Sequence, residues 1–133
     1  MVVLRVGSPR TKSDIRVDAA SIAGTTVDWN LVNVPSGYVV YVWGSTSYKS
    51  LSAFRSATGQ ETHGIQADPR WVDRAGGDFQ LLAGSPAIDS AWSSATGEQA
   101  VDVEGSARFD DPTVTDTGTG VRSYDDRGAY ERH

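Results

Sequence analysis

The chain has 133 residues, with 12 basic and 17 acidic side chains, a formal charge of -5, no cysteine and two histidines. Without thiols it has no disulfides, thiolate zinc sites, iron–sulfur clusters or thiol nucleophile, and His63 and His133 cannot build a multi-histidine metal site within one chain. The acidic balance argues against nucleic acid or an anionic membrane as a partner, and no apolar run of about 18 residues is present to span a bilayer.

The length suits one domain, residues 1–133. Within it, β rungs are expected over 1–47, a helix over 48–59, and a last rung with a C-terminal cap over 65–133. Strand signals open the chain. Leu4 and Val6, then Ile15 to Asp18, Thr25 to Val34 and Tyr38 to Trp43 are β-branched and aromatic runs. Gly7-Ser8-Pro9, Ala23-Gly24 and Pro35-Ser36-Gly37 punctuate them. Alternation in Val27-Asp28-Trp29-Asn30-Leu31 puts Val27, Trp29 and Leu31 on one strand face. Tyr38 to Trp43 is apolar on both faces, the pattern of a strand covered on each side. Tyr48, Leu51 and Phe54 recur at helical spacing, with Ser47 as the N-cap and Gly59 where a left-handed C-cap falls.

Beyond Gly64, short apolar segments alternate with turns. Trp71-Val72, Phe79 to Leu82 and Val101-Asp102-Val103 are strand pieces. Pro86 opens a single helical turn at Ala87-Ile88-Asp89. Residues 110–120 are small and polar, and read as a long surface loop. Strand pieces at short intervals are consistent with stacked solenoid coils or a small sandwich.

An ordered series of motifs runs through this half: Ala67-Asp68-Pro69-Arg70-Trp71-Val72-Asp73, Gly77-Asp78-Phe79-Gln80-Leu81 and Gly84-Ser85-Pro86-Ala87-Ile88-Asp89. It continues with Asp102-Val103-Glu104-Gly105 through Arg108 and Asp126-Arg127-Gly128-Ala129-Tyr130-Glu131. The series resembles the C-terminal region of bacterial right-handed parallel β-helix proteins, the pectate-lyase-like superfamily, over residues 15–132. Arg127 stands where that series usually carries an apolar residue. The resemblance implies an all-β right-handed parallel β-helix segment with one short α-helix and an irregular C-terminal cap. It implies a secreted or cell-surface setting, although no signal peptide is visible after Met1-Val2-Val3-Leu4-Arg5. It also implies a carbohydrate-directed module, either polysaccharide-binding or cleaving glycosidic bonds as a glycoside hydrolase or polysaccharide lyase. The alternative is a non-catalytic structural cap or assembly domain of a larger exported β-helix protein. An abrupt first coil would expose strand edges, so self-association through the N-terminal end is expected.

Asp102, Glu104, Asp110, Asp111, Asp116, Asp125, Asp126 and Glu131 form an acidic group in the sequence. Two carboxylates acting as acid and base would cut a glycosidic bond, with Asp102, Glu104, Asp125 and Asp126 as the catalytic candidates. Asp102, Glu104 and Asp110 would offer oxygens to Ca²⁺, the one metal considered; otherwise no cofactor is expected. The structural reading is that Asp102 and Asp126 pair with Arg108 and pin the C-terminal segment. Trp43, Trp92 and Tyr124 are the candidate sugar-stacking platforms, whereas Trp29 and Trp71 sit in apolar patterns as core residues. His63 reads as a polar loop residue, with general base as the alternative. Ser85 reads as a turn cap, since Pro86 removes an N–H that an oxyanion hole would use.

Overall fold

The computed structural model describes residues 13–133 and a backbone strand at Val2–Leu4. Val6, the Gly7-Ser8-Pro9 turn, Lys12 and the side chains of Val2-Val3-Leu4, on which self-association was argued, lie outside the described residues. The chain divides into two compact units, Met1–Ala67 and Asp68–His133.

The first unit holds two three-stranded sheets and one helix. In one sheet β1 (Val2–Leu4), β3 (Leu31–Asn33) and β6 (Ile65–Gln66) lie parallel in the order β1-β3-β6. In the other, β2 (Ile15–Val17) runs parallel to β4 (Tyr41–Trp43), and β5 (Thr46–Tyr48) returns antiparallel on the far side of β4. Tyr41 and Val42 are consecutive and both buried, so β4 is covered on both faces, as its unbroken apolar run requires. Between β4 and β5 the chain reverses in two residues, Gly44-Ser45, and Gly44 takes φ +62°. A side chain there would meet the left-handed penalty that glycine escapes.

Helix α1 (Leu51–Thr58) closes this core. Its N-cap is Ser50 rather than Ser47: the Ser50 Oγ accepts the Ala53 N–H at 3.2 Å, while Ser47 lies in β5. Gly59 is the left-handed C-cap, and its N–H donates to the Arg55 carbonyl at 2.9 Å. Leu51 and Phe54 are buried with Val32, Val34, Val40 and Tyr41. The Phe54 ring stacks on Tyr41 at 4.2 Å and meets Trp43 and Tyr48 edge-on.

The second unit has little regular structure. β7 (Trp71–Asp73) and β8 (Asp78–Leu81) form an antiparallel hairpin, with Trp71 edge-on to Phe79. From Leu82 onward the described chain is turns and isolated bridges. Val101-Asp102-Val103, expected as a strand piece, contributes a single bridge, Val101 to Ala107.

These observations correct the expected right-handed parallel β-helix. The described residues form a small, mostly-sheet structure with three separate sheets and one helix, and no closed solenoid. Parallel pairing does occur. However, the strands are two to four residues long, and β4 turns back into an antiparallel hairpin instead of continuing to a further coil. The only ladder in the second unit, among the described residues, is antiparallel. A solenoid needs each coil to bury its faces on the next in the same direction, and these reversals interrupt that stacking.

Candidate functional site

In the first unit polar and aromatic side chains gather where the loop before β3 meets the loop after α1. The strand expected through Trp29 begins only at Leu31, because Trp29 takes φ +62° and breaks the alternation. Trp29 is therefore not on a core face. Its ring stacks flat on His63, with centroids 4.2 Å apart. Asp28 holds His63 twice: Oδ1 accepts the His63 backbone N–H at 2.7 Å, and Oδ2 lies 2.8 Å from Nδ1. Burial alone would raise the Asp28 carboxyl, but the hydrogen bonds from His63 and from the Trp29 N–H hold it below the usual range.

Behind this pair lies Glu61, fully buried and also in the left-handed region at φ +56°. Its Oε1 accepts the Asn30 side-chain amide at 2.7 Å and the Tyr41 hydroxyl at 3.3 Å, and its Oε2 accepts the Asn30 N–H. Burial pushes the Glu61 carboxyl up despite these donors. Arg55, from the helix, donates to the carbonyls of Glu61 at 2.7 Å and Gly64 at 2.8 Å. The polar network thus fastens loop to strand and leaves His63 at the surface, oriented by Asp28. Glu61 and Asn30 carry no motif; only their fold-dependent burial marks them.

In the second unit, two of the four catalytic candidates, Asp102 and Asp126, hold backbone N–H groups. Asp102 Oδ1 accepts the N–H groups of Glu104 at 2.9 Å and Ser106 at 2.8 Å, and its Oδ2 accepts that of Glu131 at 3.3 Å. Burial would raise this carboxyl, but the three N–H donors hold it below the ordinary value. Asp126 accepts the N–H groups of Asp89 and Arg132, each at 2.8 Å. Burial, with Glu131 and Asp89 nearby, still pushes it up to about 7. Asp125 is gripped by Arg122 at 2.6 and 2.7 Å. Glu104 is exposed and meets the Gln80 amide.

Arg108 does tie the C-terminal segment, but through Glu131 at 2.8 Å and Glu98 at 2.9 Å, with Asp125 at 3.9 Å, rather than through Asp102 and Asp126. Arg127, which stands where the motif series usually carries an apolar residue, is buried and donates to the Ser90 carbonyl at 2.7 Å. Ser85 caps its turn: Oγ accepts the Ala87 N–H at 3.1 Å and donates to the Pro69 carbonyl at 2.6 Å.

The candidate aromatic platforms separate. Trp43 is half-buried against Phe54 in the first unit, and Tyr124 is half-buried in the second. Trp92 is 43% exposed. It forms a parallel bridge with Thr119, and the segment 119–122 is tied to Ser93 and Ser94 by hydroxyl–backbone hydrogen bonds. Gly118 is required there, since a Cβ would run into the carbonyl oxygens of Ser123 and Ala91. The loop expected over residues 110–120 is thus docked onto 89–94 by backbone hydrogen bonds.

Carboxylate oxygens of Asp89, Asp110 and Asp116 lie within 4.8 Å of one another, a grouping that includes neither Asp102 nor Glu104. Asp89 was read only as the end of a turn; its place in this group depends on the docked loop. Among the described residues, no helix is long and apolar enough to cross a membrane.

No family model matches the chain, and no solved structure matches it. The chain is similar to the uncharacterized protein YwoF of Bacillus subtilis (strain 168), with 35% identity over 65 residues, covering 48% of this chain and 14% of YwoF. The chain thus matches a small fraction of that relative's length, and the relative's name carries no activity.

Proposed function

We propose that this chain is a carbohydrate-directed module that binds polysaccharide without cleaving it. The substrate class rests on the motif series from Gly84 to Asp89, Asp102 to Arg108 and Asp126 to Glu131, which resembles the pectate-lyase-like superfamily. The choice of binding over cleavage rests on the side chains. A glycosidic acid or base needs an oxygen free to exchange a proton with the substrate. Asp102, Asp125 and Asp126 have theirs engaged by backbone N–H groups or Arg122. The observation that carries the reading is Trp92, an exposed ring on a pinned turn with Thr119 bridged beside it. Such a ring covers the C–H face of a sugar while neighbouring hydroxyls meet its oxygens.

The test is a panel of plant, algal and bacterial polysaccharides, read by affinity electrophoresis and by release of reducing ends or unsaturated products. Retardation by at least one glycan, weakened roughly tenfold or more in Trp92→Ala, with no product, is the expected result. Product release would replace binding by cleavage. Failure of every glycan to retard the chain would leave the non-catalytic structural cap or assembly role in its place.

A further inference from the structure

We propose that Asp89, Asp110 and Asp116 form a binding site for a hard divalent cation, with Ca²⁺ preferred. Their carboxylate oxygens already lie within 4.8 Å of one another. Two oxygens on opposite sides of a Ca²⁺ ion, each at about 2.4 Å, would stand about 4.8 Å apart, so the trio fits one coordination sphere. Clustered acids alone would not point to an ion; the state of Asp89 does. This residue has no accessible surface, and neither of its carboxylate oxygens accepts a well-formed hydrogen bond; the Asp111 N–H approaches it only weakly. The other buried carboxylates of this unit all have partners. Asp102, Asp111, Asp125, Asp126 and Glu131 each accept from backbone N–H groups, hydroxyls or arginines. Leaving a buried carboxylate unpaired is costly unless a counter-charge completes it.

The turn holds Asp89 in place. Its backbone takes φ +48°, its N–H donates to Asp126, and its carbonyl accepts the N–H groups of Thr117 at 2.8 Å and Gly118 at 3.0 Å. Those bonds bring the 116–118 segment, and Asp116 with it, to Asp89. Burial first pushes the Asp89 carboxyl up; the Asp111 N–H opposes it, and the like charges of Asp116, Asp110 and Asp111 add to it, leaving the carboxyl at about 6. The all-oxygen donor set suits Ca²⁺ and gives zinc none of the nitrogen or sulfur it favours. Exposed Asp110 and Asp116 leave room for water to complete the irregular shell that Ca²⁺ accepts more readily than Mg²⁺.

The test uses the full chain stripped with EDTA, titrated with Ca²⁺ or Mg²⁺ by calorimetry and followed by thermal unfolding. Saturable one-to-one Ca²⁺ binding with a rise in Tm is expected, with Mg²⁺ weaker. Asp116→Asn should weaken Ca²⁺ binding roughly tenfold or more without lowering the Tm in EDTA, because it removes a like charge. Asp89→Asn should raise the Tm in EDTA and abolish the Ca²⁺ response. Asp78→Asn, outside the cluster, should bind as the parent does. No saturable Ca²⁺ binding, or parental affinity in both Asp110→Asn and Asp116→Asn, overturns the site; Mg²⁺ binding as tight as Ca²⁺ overturns the preference. None of these readouts depends on a glycan, so the site and the carbohydrate reading fail separately.

Discussion

Of the four side-chain-bearing residues in the left-handed region among the described residues, Trp29, Glu61, Arg70 and Asp89, all but Arg70 sit at the polar centres of their units. Such backbone is unfavourable for a side-chain-bearing residue and persists where surrounding bonds hold it. Glu61 shows how. Its carboxylate is the common acceptor for the Asn30 amide, the Asn30 N–H and the Tyr41 hydroxyl, all away from water. Removing it would strand those donors. Glu61→Ala is expected to destabilise the chain by about 3 kcal/mol, read by urea denaturation with circular dichroism. A loss under about 1 kcal/mol would mean the donors find water or other partners. Little of this was legible in the residues: Glu61-Thr62-His63-Gly64 looks like any polar loop. Its partner Asn30 lies 31 positions away and meets it only once β3 and β6 pair.

At the scale of elements, α1 was the most legible feature. Tyr48, Leu51 and Phe54 mark an apolar stripe, and Gly59 ends it as expected. The N-cap was displaced by one turn because Thr46–Tyr48 is drawn into pairing with β4 before the helix can start. Ser50→Ala is expected to cost about 1 kcal/mol, and Ser47→Ala close to nothing, by the same denaturation measurement. Equal losses from the two would reject the cap assignment. Phe54, stacked on Tyr41 and packed against Trp43 and Tyr48, carries more; Phe54→Ala is expected to cost about 3–5 kcal/mol. The strands were less legible. β3 is shorter than its β-branched run, since Trp29 leaves the strand to stack on His63.

At the scale of the whole molecule, two buried carboxylates, Glu61 in the first unit and Asp102 in the second, carry opposite pH signatures. Glu61 in the first is pushed up, so the folded state binds its proton more tightly than the unfolded chain. Its contribution to stability is therefore largest at acid pH and falls as pH rises above the ordinary glutamate range. Asp102 in the second is held down, so its contribution is present above the ordinary aspartate range and is lost as pH falls through its lowered value. Thermal unfolding from pH 3 to 8 should accordingly show the deficit of Asp102→Asn shrinking towards pH 3. The difference between parent and Glu61→Gln should move in Glu61→Gln's favour as pH rises. Parallel pH curves for either variant and the parent would reject the corresponding assignment.

Composition and local pattern by themselves determined the absence of thiol chemistry, the predominance of short strands, the helix with its glycine stop and the turn cap at Ser85. These depend on residue type or on neighbours a few positions apart. Only tertiary structure decided that the strands form separate small sheets rather than a solenoid. It also decided that Arg108 reaches Glu131 and not Asp102, and that Asp89 meets Asp110 and Asp116. For the ion partners the reason is range, since Arg108 and Glu131, and Asp89 and Asp110, are more than 20 residues apart. For the sheets it is competition, since β4 pairs with the distant β2 and also with the adjacent β5, and local pattern does not fix which directions result.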